Sequence, residues 1–480
     1  MVLKPSMNAL AALCLAASAA LFFFGTGLTP VWMLLWLAPI PILWLSPSIS
    51  AWQAFFVAAA AYMLGGFNIW FYMTIVAPMW VALLNAFVPA CLFAAAVVLF
   101  RNRAVHGRLW QAVLIVPAFW VTYEYVTSLL SIHGTIGNIG YSQLNFLPIL
   151  QLAAVTGIWG ISFSILLFAA TVAVLLGSGP RRQKTAIAAT AAIFFLCVFG
   201  YGLLRLARSP KNAPTVKVGL VASDDSNMVL AFTPEQSLGM YDRFGTEIRT
   251  LQGRGIQMFV LPENSGPVTD ASVAATDEKL GSLAKEAHAF VAIGVARIGP
   301  KLSWNEERLY APDGTLAATY DKHHLLPPFE NQFTPASART TLKEPSGIWG
   351  LQICKDMDFP RLSREYAGDG VGLMVVPAWD FTLDGWSHGR IAAMRGVEDG
   401  FSIARSAKRS ILYASDDRGR VLAEQNTMLL PFATVVTSVP VHHDVTLYSK
   451  LGDWFAWLNI ALLAVLAVLW NRGKSLTRPN

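Results

Sequence analysis

The chain has 480 residues, of which 54% are hydrophobic and only 14% charged. A soluble globular protein carries about 25% charged residues, so this composition, with a mean hydropathy of +0.47, excludes a wholly soluble protein and requires much of the chain to face lipid. The net charge of +6 does not argue for a nucleic-acid partner, because the basic residues outside the middle of the chain cluster at the ends of apolar segments, where they mark membrane topology.

Taken in order, the first apolar run covers 7–24, just after Lys4. Ala16 to Ala20 looks like a signal-peptide cleavage site, but the run continues through Leu21 to Phe24 and more spans follow, so a retained helix is expected. Further spans are expected near 31–45, 52–73, 80–100, 110–130, 149–176 and 186–204, with an eighth at 454–470, each close to the length that crosses a bilayer core. Pro39 and Pro41 interrupt the second, which is expected to be kinked or re-entrant. With the N-terminus in the cytoplasm, the inside segments hold Lys4, then Arg101, Arg103 and Arg108, then Arg181, Arg182 and Lys184, and finally Arg472, Lys474 and Arg478. The outside loops 25–30, 74–79 and 131–148 hold no Lys or Arg; Arg205, Arg208 and Lys211 are the one local exception. This pattern places a polar region outside the cytoplasmic membrane, held by a helix at each end. The expected division is a helical bundle over 1–211, a polar domain over 212–447, and a final helix with a basic tail over 448–480.

The polar region alternates strands with amphipathic stretches. Strands are read at Val216 to Ala222, Ile256 to Leu261, Phe290 to Ala296, Ile348 to Ile353 and Gly372 to Val376. Helices are read at Pro234 to Leu251, 277–288, 361–367 and Ser387 to Asp399, and a hairpin at Glu307 to Tyr320 turning on Pro312-Asp313-Gly314. The alternation predicts an α/β layered fold with its own core.

Three strand ends present reactive groups. Phe259-Val260-Leu261-Pro262 ends in Glu263, Tyr320-Asp321 leads to Lys322, and Ile353 leads to Cys354, followed two residues on by Asp356. Cys14, Cys91 and Cys197 lie inside apolar runs, so a disulfide framework is not expected and the polar domain keeps one unpaired thiol. Taken alone, Cys354 fits a core position as well as a nucleophile, because free cysteine is among the most buried residue types. Together the three make a workable acyl-transfer set. The carboxylate takes the thiol proton, the thiolate attacks a carbonyl, and the ammonium stabilises the oxyanion. Glu263 and Lys322 are both expected to bias the thiol toward thiolate.

Pro262-Glu263, Asp321-Lys322-His323-His324-Leu325 and Ile353-Cys354-Lys355-Asp356 resemble, in order and approximate spacing, the Glu–Lys–Cys motifs of the nitrilase (carbon–nitrogen hydrolase) superfamily. Joined to the spans, the chain resembles the bacterial apolipoprotein N-acyltransferase family. Asn138 to Gln143, Gln151 to Gly160, and Tyr448 to Trp454 also follow that family's pattern. The resemblance implies an αββα sandwich and catalysis by Glu263, Lys322 and Cys354, with no metal or organic cofactor. It further implies a ping-pong reaction in which Cys354 takes an acyl chain from a phospholipid as a thioester and passes it to the α-amino group of a lipoprotein's diacylglyceryl-cysteine. The location implied is the bacterial inner membrane, with the catalytic domain on the periplasmic face. Glu330 matches a second acid that supports the site, and Asp356, Trp379 and Trp386 complete the expected supporting or substrate-binding set.

The chain departs from the family pattern at Lys355, where an aromatic residue is usual, at Ala222-Ser223-Asp224, at Arg405 to Ser410 (where Lys408 replaces an asparagine), and at Thr127, where arginine is common. These departures keep open a second reading, a membrane-bound acyltransferase or amidase of the same fold acting on a different amine or amide. A membrane scaffold with a vestigial domain is disfavoured by retention of all three catalytic residue types. The pairs His323-His324 and His442-His443 lack the spacing of a metal site. Glu124, within a span, fits either a packed hydrogen-bonded residue or a functional one. Trp379, Phe381 and Trp386 are read as lying on a loop after a strand ending at Val376, fitting either a lid or membrane contact or ordinary packing under the loop.

Overall fold

The computed structural model describes residues 6–208, 213–224, 231–428 and 430–475. Lys4, Lys211, Arg478 and the expected boundary at 211–212 lie outside them. Two compact units emerge: Met1–Leu129 with Gly137–Leu206 and Asp453–Asn480, and Leu130–Ile136 with Ala207–Gly452.

The first unit is helical. Among the described residues, six helices are long and apolar enough to cross a membrane: Met7–Gly25, Ala51–Val76, Met79–Val105, Leu109–Leu130, Ile158–Leu176 and Arg181–Ala207. The expected second span is two short helices, Trp32–Leu37 and Ile40–Leu45, broken around Pro39, whose ring denies the backbone a donor. The stretch 149–157, expected to begin the sixth span, instead forms two single turns, Leu147–Leu150 and Ala153–Thr156. The long helix starts only at Ile158, after Gly157 in a positive-φ conformation.

Polar residues inside this unit bond to one another, as they must where water is absent. Glu124 accepts from Trp120 Nε1 (2.9 Å), the Ile139 amide (2.8 Å) and Asn138 Nδ2 (2.9 Å). Asn138 Oδ1 in turn accepts from Ser162 Oγ at 2.8 Å, and Trp159 Nε1 donates to Asp453 Oδ1 at 2.9 Å. Arg205, the exception to the charge pattern, is buried and donates to Gln151 Oε1 at 2.6 Å. It serves the bundle interior rather than marking a side.

In the second unit, side-chain alternation sorts each strand between two cores. One sheet runs β13-β1-β2-β4-β5-β6 with β3 beside β4, where β1 is Thr215–Ala222, β2 Met258–Val260, β3 Pro267–Thr269, β4 Phe290–Ile298, β5 Ser303–Tyr310, β6 Leu316–Asp321 and β13 Ala433–Pro440. The other runs β12-β11-β10-β9-β8-β7, with β7 Thr341–Glu344, β8 Gly347–Leu351, β9 Leu373–Trp379, β10 Ser402–Lys408, β11 Ile411–Ser415 and β12 Val421–Asn426. Val218, Leu220 and Val260 of the first sheet share a core with Leu351, Val375 and Ala404 of the second. Val221, Phe259 and Ile293 point the opposite way, onto Tyr241, Phe244 and Leu280 of helices Pro234–Thr250 and Val273–Ala287. Met374, Val376 and Ile403 likewise meet Leu362, Tyr366 and Ala392 of helices Pro360–Gly368 and Gly385–Asp399. The period of two thus builds a helix–sheet–sheet–helix sandwich, four layers as expected.

β1, β2 and β4 are mutually parallel, as are β8, β9 and β10. Their carboxyl ends therefore open in common directions, the usual place for a site in such sheets.

Candidate active site

Glu263, Lys322 and Cys354 come from β2, β6 and β8, each just past its strand. Glu263 is seated by backbone bonds, its amide donating to Ala378 O at 3.3 Å, while Gly294 donates to Pro262 O at 3.1 Å. A Cβ on Gly294 would lie 2.5 Å from the Glu263 Cα, so only glycine lets β4 approach the acid this closely.

Lys322 Nζ is sealed between two carboxylates, 2.7 Å from Glu263 Oε1 and 2.9 Å from Glu330 Oε2. The Lys322 and Glu263 side chains are 3% and 4% exposed, so this ion pair is unscreened by water. Asn305 Nδ2 ties the two acids together, donating to Glu263 Oε1 at 2.6 Å and Glu330 Oε1 at 2.5 Å. Burial works against the Lys322 ammonium, but Glu263 and Glu330 outweigh it and hold its pKa well above the ordinary value. Burial raises that of Glu263, opposed by Lys322 and assisted by Glu330. The cluster is a fixed ammonium beside a carboxylate ready to hold a proton.

Cys354 is three residues beyond β8, not directly at its end as the sequence suggests, and it opens a 3-10 turn, Cys354–Asp358. Its φ of 44° is a left-handed conformation that costs a non-glycine residue of order 1 kcal/mol or more and aims the side chain out of the strand direction. Asp356 secures the turn, accepting from Tyr320 OH at 2.7 Å, the His324 amide at 2.9 Å and the Ile353 amide at 3.3 Å. His324 Nδ1 lies 3.0 Å from the same carboxylate, and its ring stacks on Phe359 at 3.6 Å. Burial would raise the Asp356 pKa, but His324, Lys322 and Tyr320 outweigh it and keep it low. Asp356 therefore acts as a charged clamp between the Lys322 strand and the cysteine turn.

The thiol donates to Trp379 O at 3.5 Å and to Asp380 Oδ1 at 3.8 Å. Asp380 is itself buried, with Arg405 Nη2 2.7 Å from Oδ1 and Ser410 Oγ on Oδ2. Burial pushes the Cys354 thiol well above its ordinary pKa; Glu263 and Asp380 add to the rise, and Lys322 and Arg405 oppose it without reversing it. Burial and the two carboxylates thus work against the expected bias toward thiolate, which Lys322 and Arg405 favour.

The turn is braced from a segment outside the sandwich sequence. Thr135 N and Oγ1 both donate to Asp358 O, at 3.1 and 2.9 Å, and a Cβ on Gly134 (φ +55°) would lie 2.4 Å from that oxygen. Lys355 is buried and donates to Leu325 O at 2.9 Å, its pKa lowered by burial to about 8. Lys408 is buried and donates to Asn264 O at 2.9 Å, with Nζ 4.0 Å from the centre of the Trp379 ring; burial lowers it to about 7.

The loop reading of the tryptophans is corrected. β9 continues through Trp379, and Trp386 is the second residue of helix Gly385–Asp399, 5.1 Å from the Arg390 guanidinium. Only Phe381, whose ring is 5.1 Å from that of Phe329, lies between the two elements.

Sequence reading missed Asn305, Asp380, Arg405 and Ser410. Asp380 did carry a signal: it is an acid one residue past an apolar strand, the same cue that found Glu263. Asn305 carried none, since its role exists only once β5 lies between β4 and β6.

A family profile described as Apolipoprotein N-acyltransferase N-terminal domain matches residues 18–171, and one described as Carbon-nitrogen hydrolase matches 211–429. The chain is 25% identical over 503 residues to the apolipoprotein N-acyltransferase of Geobacter metallireducens, covering 95% of this chain and 94% of that protein. It is also 25% identical over 376 residues to that of Bradyrhizobium diazoefficiens, covering 68% of each. Among solved structures, Saccharomyces cerevisiae Nit3, described as a member of branch 10 of the nitrilase superfamily, covers 48% of this chain and 92% of its own at 21% identity and a TM-score of 0.39.

Proposed function

Because this chain belongs to the apolipoprotein N-acyltransferase family, we propose that it moves an acyl chain from a phospholipid, through a thioester on Cys354, to the α-amino group of a lipoprotein's diacylglyceryl-cysteine. The observation that carries the reading is the sealed Glu263–Lys322–Glu330 cluster beside the half-buried thiol of Cys354, whose electrostatics Glu263 and Lys322 both shape. In the first half-reaction Glu263 takes the thiol proton as sulfur attacks the ester carbonyl. The oxyanion forms against the Lys322 ammonium, already in place and water-free, so its stabilisation needs no reorganisation. Collapse forms the thioester and expels the glycerol oxygen of the lysophospholipid, which takes the proton from Glu263. In the second, the acceptor nitrogen attacks the thioester carbon, the C–N bond forms and the C–S bond breaks, and the sulfur recovers its proton through Glu263. Glu330 holds Lys322 in register from its far side. The proposed location is the inner membrane with the sandwich on the periplasmic face, supported by the inside clustering of Arg and Lys.

The test is whether membranes containing this protein, given phospholipid, add one acyl chain to a diacylglyceryl-cysteine peptide, and whether Cys354→Ala membranes do not. Acylation of soluble amines or hydrolysis of soluble amides in its place would favour the second reading. Buried Lys355 and Lys408, at positions where the family has an aromatic residue and an asparagine, are the features that keep that reading in view.

A further inference from the structure

The thiol's two hydrogen-bond acceptors have a consequence for the step that follows acylation. In the resting site the Cys354 S–H serves Trp379 O at 3.5 Å and Asp380 Oδ1 at 3.8 Å. Once sulfur carries an acyl group it has no proton to give, and both acceptors lose that donor. What remains beside the thioester is a carbonyl oxygen and a carboxylate oxygen, an acceptor-only pair that fits a cationic, multiply donating ligand. Asp380 cannot swing away to satisfy itself elsewhere, because Arg405 Nη2 holds Oδ1 at 2.7 Å and Ser410 Oγ holds Oδ2, all within a buried shell. Its carboxylate therefore stays aimed at the sulfur.

We infer that Asp380 is a further catalytic residue, the carboxylate that receives the acceptor's ammonium group in the second half-reaction. The inference rests on the two-step reading above. The acceptor arrives as R–NH3+, donates to Asp380 Oδ1 and Trp379 O in place of the lost thiol proton, and gives one proton to the Asp380 carboxylate. The neutral nitrogen then attacks the thioester carbon; C–N forms, C–S breaks, and the second proton passes through Glu263 to the departing sulfur. Asp380 releases its proton to water, so one proton is liberated for each ammonium converted to amide. Acylation of Cys354 by an ester does not use this carboxylate as an acid or base.

The experiment separates the half-reactions in the full-length protein in membranes. Asp380→Asn keeps the size, removes the charge and replaces one acceptor oxygen with an amide donor, so Ser410→Ala, which keeps the charge, is run beside it. Acyl-Cys354 is formed from phospholipid without acceptor and quantified by mass, then discharged either by a diacylglyceryl-cysteine peptide amine or by hydroxylamine, which is uncharged at neutral pH. The expected result is a roughly 100-fold loss of transfer to the peptide amine, with acyl-enzyme still formed and hydroxylamine discharge within about threefold of wild type. Ser410→Ala, which loosens Oδ2 while keeping the charge, is expected to slow peptide transfer about five- to tenfold and to leave hydroxylamine discharge alone. Unchanged peptide transfer in both variants overturns the inference, as does an equal fall in both discharge reactions, which marks a structural role. Failure of acyl-Cys354 to form in Asp380→Asn while Ser410→Ala acylates and transfers normally also overturns it. Failure of the wild-type protein to form acyl-Cys354 at all counts against the thioester reading instead.

Discussion

At the scale of single residues, the site is governed by how few charges a sealed pocket tolerates. Glu263 and Glu330 share one ammonium, and Asp380 shares one guanidinium. Glu330→Gln removes one acceptor from Lys322 and leaves Asn305 with a poorer partner. We expect turnover to fall roughly 100-fold, the scale for one positioned polar group, with acyl-enzyme formation slowed to the same degree; unchanged kinetics would reduce Glu330 to a structural carboxylate. Cys354→Ser is expected to abolish turnover, because a hydroxyl ionises far less readily than a thiol and the base on offer is a carboxylate. Cys14→Ser, Cys91→Ser and Cys197→Ser should leave turnover nearly intact, and full activity in Cys354→Ser would remove sulfur from the mechanism. The acid, amine and thiol were legible in sequence because each follows a short apolar strand. Their partners were not, since Asn305 on β5, Arg405 on β10 and Ser410 in the turn after β10 carry no periodic mark and reach the site only through sheet pairing.

At the scale of elements, alternation made the strands and amphipathic helices readable, whereas bends within apolar runs were not. The run from 149 to 176 is apolar throughout, and nothing in its hydropathy tells single turns from a long helix; only Gly157 marks the break. The tryptophan segment failed for a related reason. β9 is covered on both sides and so shows no polar alternation at its end. Helix Gly385–Asp399 meets the cysteine turn through His388, which is 3.1 Å from Asp384 and 3.8 Å from Asp358. Burial alone would lower the His388 pKa; Asp384, Asp380 and Asp358 outweigh it and raise it to about 10. A raised folded-state pKa gives stability that is complete below the unfolded value, about 6.5, and is lost as pH climbs toward the folded one. Thermal unfolding in detergent should therefore show the largest gap between wild type and His388→Gln below pH 6.5, shrinking steadily toward pH 10. A gap independent of pH would show that the imidazole contributes by packing alone.

At the scale of the whole molecule, composition decided most of the outcome. The low charge content called for a membrane unit, and six helices long and apolar enough to cross are found among the described residues. The proposed orientation is open to direct measurement. A reporter fused near Lys184 is expected on the cytoplasmic side and one near Ser272 outside; finding both on one side rules out the arrangement of spans. What composition could not give is the assignment of 130–136. Those seven residues have membrane-unit helices before and after them, yet they belong with the sandwich.

That small insertion bears on any attempt to cut the enzyme apart. The chain changes units at 129/130, 136/137, 206/207 and 452/453. A fragment spanning 207–452, whether released by a protease or truncated at the gene, would contain every acid, amine and thiol of the site. It would still lack Thr135, whose two bonds to the Asp358 carbonyl close the far end of the cysteine turn. The excised piece should keep its sheets and lose its rate, and a synthetic peptide of residues 130–136 supplied in trans should restore part of it. The hydrolase-like half is thus not a separable cargo on a membrane anchor, because one of its working parts is threaded through the anchor's own sequence.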